Sequence, residues 1–232
     1  RAVSPIWTPD SARVCYLSAP EVRCQLADGT GQVETVVKAP ELTSVQSFSP
    51  DGNKLLVSTA PPGRIQRVDV LIATRGSPDL SPLIQTPFAD AGPAISPDGR
   101  WVAYFSDESG RSEVYVRPFP DVDHGRWQVS TDGGTEPRWS RNGRELFFRN
   151  LVGQGATHIM KVSITPDKSF VADSPTMAVR FPQGSSSLYD VAQDGRFLFN
   201  VPATEVADNA SRPQIVVVQN WHEELKRLVP TR

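Results

Sequence analysis

Short alternations of apolar and polar residues, broken by turn-forming residues, run along almost the whole chain. Val14-Cys15-Tyr16, Lys54 to Val57, Trp101 to Phe105, Glu145 to Phe148 and Arg196 to Phe199 each read as a half-buried strand. A further strand follows most of them: Val22 to Leu26, Gln66 to Ile72, Glu113 to Val116, His158 to Ile164 and Pro213 to Gln219. Gln32 to Val37 and Trp127 to Ser130 read as closing strands. Helical spacing occurs once. Trp221, Leu225 and Leu228 fall at i, i+4 and i+7, Glu223 stands four residues before Arg227, and Asn220 is a suitable cap. The pattern predicts an all-β protein with a short C-terminal helix after a long polar loop, Ala203 to Arg212.

The turns before the second strands share one grammar: an apolar residue, two spacers, an Asp or Asn, then Gly in four of five copies. They are Trp7-Thr8-Pro9-Asp10, Phe48-Ser49-Pro50-Asp51-Gly52, Ile95-Ser96-Pro97-Asp98-Gly99, Trp139-Ser140-Arg141-Asn142-Gly143 and Val191-Ala192-Gln193-Asp194-Gly195. The Asp/Asn positions lie 41, 47, 44 and 52 residues apart. Pro presets φ for the first corner, Asp or Asn suits the second, and Gly takes the positive φ that ends the turn. Ser or Thr before the Pro can accept a local backbone hydrogen bond. The recurring acids therefore read as turn-formers rather than as paired catalytic carboxylates.

Three or four short strands per repeat of this length predict a propeller blade. One such sheet cannot bury both faces alone. Stacking blades around an axis is expected to bury Trp7, Phe48, Ile95, Trp139 and Val191. A sandwich or barrel is the alternative, but neither requires a recurring turn sequence. The repeats fall at about 4–40, 41–87, 88–132, 133–183 and 184–232, within a single domain. About five four-stranded blades are visible, as a complete disc or as an incomplete six-bladed one. The chain opens at Arg1 without Met or a signal-peptide pattern, so it reads as a segment of something larger.

Composition agrees with a turn-rich β-protein. The 232 residues include 21 Pro and 16 Gly, against 38% hydrophobic and 22% charged residues. The formal net charge of −2, with 19 Arg and 5 Lys scattered singly, gives no basic stripe for nucleic acid. The longest compact apolar run, Ile215 to Val218, is far short of a membrane span.

These repeats resemble the Pro-Asp variety of WD-like β-propeller repeat found in the periplasmic protein TolB. They lack the Gly-His and Trp-Asp dipeptides of ordinary WD repeats, and Gly follows Asp directly, unlike the sialidase Asp-box. Ser96 to Pro120, continuing through Ser130-Thr131-Asp132-Gly133-Gly134-Thr135-Glu136-Pro137-Arg138-Trp139-Ser140, is similar to propellers appended to bacterial serine/threonine protein kinases. The tail Ile215-Val216-Val217-Val218-Gln219-Asn220-Trp221, then Glu223-Glu224-Leu225-Lys226-Arg227-Leu228, resembles the C-terminal end of those chains. The chain has no Gly-rich phosphate loop, His-Arg-Asp or Asp-Phe-Gly, so the resemblance implies only a kinase's non-catalytic part. Ala-Pro-Glu at Ala19 to Glu21 and Ala39 to Glu41 is a chance tripeptide.

Candidate chemistry is sparse. His124, His158 and His222 lie in different repeats without metal spacing, and read as surface or loop residues. Asp121, Asp123 and His124 form a small acidic cluster too poor in oxygen ligands and glycine for a calcium loop, and read as a solvated loop. Ser185, Ser186 and Ser187 have no nucleophile elbow. No catalytic, cofactor-binding or metal-binding residue is assigned, and no cofactor is expected. Cys15 and Cys24 flank a turn near Ser18 to Glu21. Antiparallel pairing there would bring them to disulfide distance, which needs an oxidising compartment; two reduced buried thiols are the alternative.

Three functions follow as expectations. The first is a non-catalytic binding or sensor module, the regulatory or interaction part of a bacterial serine/threonine kinase on the periplasmic side. It would take a protein, peptide or small-molecule ligand at its loops or central channel. The second is the substrate-gating propeller of a prolyl-oligopeptidase-like hydrolase. The third is a TolB-like assembly scaffold.

Overall fold

In the computed structural model, residues 2–60, 68–77, 79–152, 156–165, 169–180, 189–192 and 194–199 are described. Four blades follow one another as antiparallel meanders. Blade 1 holds β1 (Val3–Trp7), β2 (Arg13–Ser18), β3 (Glu21–Leu26) and β4 (Glu34–Lys38). Blade 2 holds β5 (Leu42–Phe48), β6 (Lys54–Thr59), β7 (Asp69–Thr74) and β8 (Leu80–Ile84). Blade 3 holds β9 (Asp90–Ile95), β10 (Trp101–Ser106), β11 (Glu113–Pro118) and β12 (Trp127–Gln128). Blade 4 has five strands rather than four: β13 (Thr135–Trp139), β14 (Glu145–Val152), β15 (Ala156–Thr165), β16 (Val171–Ala172) and β17 (Thr176–Arg180), the last two both pairing with β15. Blade 5 begins with the pair β18 (Tyr189–Val191) and β19 (Phe197–Phe199). The strand expected at Pro213 to Gln219, the helix expected around Trp221 to Leu228, and His222 lie outside the described residues.

The first strands of successive blades adjoin one another, β1 with β5, β5 with β9, β9 with β13 and β13 with β18. Side chain–backbone hydrogen bonds stitch three of these junctions. Ile95 N donates to Ser47 Oγ at 3.1 Å, Trp139 Nε1 to Ala94 O at 3.0 Å, and Tyr189 Oη to Glu136 O at 2.8 Å. Three inner strands carry a bulge in which a residue of positive φ precedes proline: Ser4, Gly92 and Glu136. Gly92 is required at its site, because an added Cβ would stand 2.7 Å from the Phe105 ring.

Between the inner strands and the rim lie the apolar interfaces. Blades 1 and 2 share Cys15, Leu17, Val22, Cys24 and Val37 packed on Leu42, Val45, Leu55, Val57 and Ala73. Blades 2 and 3 meet through Leu56, Val70, Ile72 and Ile84 against Ile95, Val102, Tyr104 and Tyr115. Blades 3 and 4 meet around Trp101, Trp127, Leu146, Phe148 and Phe170. Phe147 and Ile159 of blade 4 pack on Tyr189 and Val191 of blade 5.

One core expectation is corrected. Ile95 and Val191 are buried and Phe48 and Trp139 half-buried, but Trp7 is 58% exposed. Residues at this position pack onto the preceding sheet, as Trp139 does on β9, and no described sheet precedes β1. His158 also differs from the surface or loop reading. It sits within β15, half-buried, and its Nε2 is buried with no hydrogen-bond partner among the described residues.

Cys15 and Cys24 are directly opposed on β2 and β3 and form a disulfide, with Cα atoms 4.0 Å apart. Both are buried in the blade 1–blade 2 interface. Replacing both by alanine is expected to lower stability by about 2–3 kcal/mol, since the bond closes a short loop of the unfolded chain. Urea denaturation of the variant beside the oxidised parent measures this.

Candidate functional site

The repeated turns lie at one end of the blades, between each first and second strand. In Ser49-Pro50-Asp51-Gly52, Gly52 N donates to Ser49 O at 2.8 Å. The same bond closes the turns at Gly99, Gly143 and Gly195, at 2.9, 2.9 and 3.0 Å. In the first copy Ser11 takes the place of glycine, with φ of 57°.

A hydroxyl relay fastens four of these turns to their strands. Thr8, Ser49, Ser96 and Ser140 accept from the backbone N–H of Arg13, Lys54, Trp101 and Glu145, at 2.9–3.0 Å. The same hydroxyls donate to Asp10, Asp51, Asp98 and Asn142 at 2.5–2.8 Å. Those oxygens in turn accept the N–H two residues on, as does Asp194 in the fifth copy. The Ser49 hydroxyl, followed by the Asn53 N–H, holds the Asp51 carboxyl down at about 2. The Thr8 hydroxyl likewise lowers Asp10. The carboxylates are engaged within their own turns.

Proline and glycine also work between blades. A Cβ on Gly52, Gly99 or Gly143 would lie 3.5–4.0 Å from the ring of Pro9, Pro50 or Pro97 respectively, so each turn stacks on the one before it. Where Arg141 replaces proline, a Cβ on the following Gly195 would have nothing within 4 Å among the described residues. The stack ends with the motif that builds it.

A cavity of about 760 Å³ opens between blades 1 and 2 beside this stack. That size suits a small-molecule ligand. Asp10, Arg13, Glu34, Asp51 and Arg75 stand among its polar lining, and Phe48, Leu55 and Ala73 among its apolar lining. Arg13 pairs with Glu34 at 3.2 Å.

Several candidates named from the sequence fall elsewhere. His124 Nδ1 lies 2.8 Å from Asp121 Oδ2, and Asp121, Asp123 and His124 are exposed. The segment is nevertheless not a simple solvated loop. It forms a 3-10 turn, Val122–His124, whose Val122 is buried in the apolar cluster between blades 2 and 3, one apolar side chain flanked by polar ones. Ser185, Ser186 and Ser187 lie outside the described residues. Among the described residues, no three His, Cys, Asp or Glu side chains converge as metal ligands, and no helix is long and apolar enough to cross a membrane.

A second recurring carboxylate escapes sequence reasoning. Glu21, Asp69 and Glu113 each begin a third strand and grip a residue of the fourth strand or just beyond it. Glu21 meets Lys38 at 3.3 Å, and Asp69 accepts from Gln85 Nε2 at 3.0 Å. Glu113, 1% exposed, accepts from Ser130 Oγ and Gly133 N. These acids follow the turn acid by 11, 18 and 15 residues, so no fixed spacing reveals them.

This meander of blades, inner strands side by side and turns stacked at one end, matches known proteins. The family model for the PD40 TolB beta propeller domain matches residues 1–216. The chain belongs to this family. Among solved structures, TolB from Acinetobacter baumannii superposes with a TM-score of 0.65 at 17% identity, over 88% of this chain and 54% of that one. Oligogalacturonate lyase from Vibrio parahaemolyticus gives 0.59 at 12%, over 83% and 56%. An auxiliary nutrient binding protein from Bacteroides thetaiotaomicron gives 0.58 at 14%, over 84% and 46%. These likenesses show the fold, and the chain spans about half the length of each. In this PD40 chain the Pro-Asp corner is both a turn and an inter-blade contact.

Two outcomes follow for this PD40 domain. Ser96→Ala, which removes a buried acceptor from Trp101 N, is expected to cost about 1–3 kcal/mol in a thermal or urea melt. The contribution of ionised Asp51 is fully present above 3.8, the ordinary carboxylate value, and is lost as pH falls through about 2. A ¹³C titration of the Asp51 carboxyl against a short peptide of the same turn sequence measures the difference.

Proposed function

We propose that this propeller segment is a non-catalytic recognition module, presenting its turn face, its inter-blade cleft and its central opening to a protein, peptide or small-molecule partner. The observation that supports this reading is an open cleft beside a repeat whose carboxylates are all engaged in their own turns. A carboxylate fixed as an anion by two or three donors is a poor proton shuttle near neutral pH. The cleft, in contrast, combines apolar floor and charged rim, as binding pockets do.

In its finer form, the module is the C-terminal regulatory part of a bacterial serine/threonine kinase. The likeness of Ser96 to Pro120, of Ser130 to Ser140 and of the C-terminal tail to such chains supports it. A TolB-like scaffold role draws support from the family match and from the TolB structure. The buried Cys15–Cys24 disulfide supports an extracytoplasmic site of action in either case, because such bonds persist in oxidising compartments.

Two measurements test the reading. The isolated propeller is expected to turn over no peptide or oligosaccharide substrate, and to retain a defined partner at fixed stoichiometry after crosslinking and purification. Turnover abolished by one point substitution would overturn the recognition role. In a parent chain carrying a kinase domain, deletion of the propeller is expected to change the response to stimulus but not the turnover of the isolated kinase. A parent chain with no kinase domain would overturn the finer form alone.

A further inference from the structure

The three junctions between the first four blades can be compared at one level, near the end opposite the Pro-Asp corners. There the seventh residue after a turn acid faces the next blade and the eighth faces the blade before, because strand side chains alternate. Between blades 1 and 2 this level is sealed by Leu17 and Leu42, both in the apolar cluster. Between blades 3 and 4, Phe105 joins the cluster, and the Asn150 amide donates to Asp132 O and Gly133 O at 2.6 and 2.8 Å.

Between blades 2 and 3 the same level is polar. Ser58 stands two residues beyond Leu56 and opposite Val70, both of which face blade 3. Ser106 stands two residues beyond Tyr104, which faces blade 2, and is paired across the strands with Asp90. Asp90 N donates at 2.8 Å to the carbonyl of Val68, two residues before Val70, so the two sheets are tied at this height. Ser58, Asp90 and Ser106 are 2%, 1% and 0% exposed. Four buried side-chain atoms lack a hydrogen-bond partner among the described residues, and three of them are here: Ser58 Oγ, Asp90 Oδ1 and Ser106 Oγ.

The carboxylate is the costly member. Its Oδ2 accepts from Thr86 Oγ1 at 2.6 Å, but no basic side chain pairs with it among the described residues. The adjacent acid Glu108 has its own arginine, Arg126. Burial pushes the Asp90 carboxyl up and the Glu108 charge adds to this, while the Thr86 and Ser106 hydroxyls beside it favour the anion.

We propose that the blade 2–blade 3 junction binds a monovalent metal ion, sodium or potassium, through Asp90 Oδ1 and the hydroxyl oxygens of Ser58 and Ser106. All three are hard oxygen donors, and one carboxylate balances one positive charge. Calcium would call for about six to eight oxygens, and magnesium for an octahedron with several retained waters. A water molecule would answer the hydrogen-bond deficit but leave the charge buried. The ion would cement two blades where the neighbouring junctions use leucine, phenylalanine or an amide. This goes beyond the recognition role and does not depend on it.

The test is thermal melting of the whole chain near neutral pH in sodium, potassium or choline chloride at equal ionic strength. A metal salt is expected to raise Tm by about 3 °C over choline, and to move the Asp90 carboxyl ¹³C resonance. Ser58→Ala with Ser106→Ala removes two orphaned hydroxyls, so this variant should melt above the parent in choline chloride. It should also need at least about tenfold more metal ion for half of the effect. Asp90→Asn should melt alike in all three salts; if it does not fold, the serine variant decides. Equal melting of the parent in all three salts, or a metal-ion effect that survives either variant, overturns the inference. So does an Asp90 resonance that ignores the metal and reads as the neutral acid, which would show that a proton alone removes the charge.

Discussion

Burial of each sheet's faces against the neighbouring blades is the constraint on which the rest of this fold depends. A four-stranded meander has two apolar faces and no layer of its own to cover either, so its middle strands must serve two neighbours at once. β6 does so by alternation: Leu55 and Val57 pack toward blade 1, while Leu56 packs toward blade 3. β10 repeats the division, with Val102 and Tyr104 toward blade 2 and Trp101 and Ala103 toward blade 4. A shift of one residue in either strand would exchange the two sets, so register and blade stacking are specified together.

The Pro-Asp corner fits this constraint on two scales. Within a blade, the serine or threonine hydroxyl and the acid tie the turn to the start of the second strand, which fixes where alternation begins. Between blades, the proline of one turn lies against the glycine of the next. One tetrapeptide therefore sets strand register and neighbour spacing together. Arg141 shows the dependence: with proline gone, the turn retains its hydrogen bonds but loses its contact with Gly195.

Given uniform strands and turns, variation falls to the connections between third and fourth strands. Blade 3 uses its connection for a 3-10 turn that buries Val122, blade 4 brings in Phe170, and blade 2 sets Leu80, at the start of its fourth strand, on the blade 1–blade 2 cluster. The same architecture thus closes its interfaces with different side chains. Loops on a fixed scaffold are the usual place for recognition to diverge.

Strand alternation and the spaced Pro-Asp corners were legible in the amino-acid order, because both are local: a period of two and a tight turn need only neighbouring residues. They determine an all-β array and the direction of the chain at each corner. What lay beyond them required three dimensions. Cys15 and Cys24 became a bonded pair only when β2 and β3 settled into a register that opposes them. Trp7 matches its buried counterparts in sequence, yet it is exposed because burial at that position is supplied by another sheet. Glu21, Asp69 and Glu113 share a role at unequal spacings, which only superposed blades reveal. The cleft is a property of what two blades leave unfilled, and an unfilled space has no residue of its own to be read.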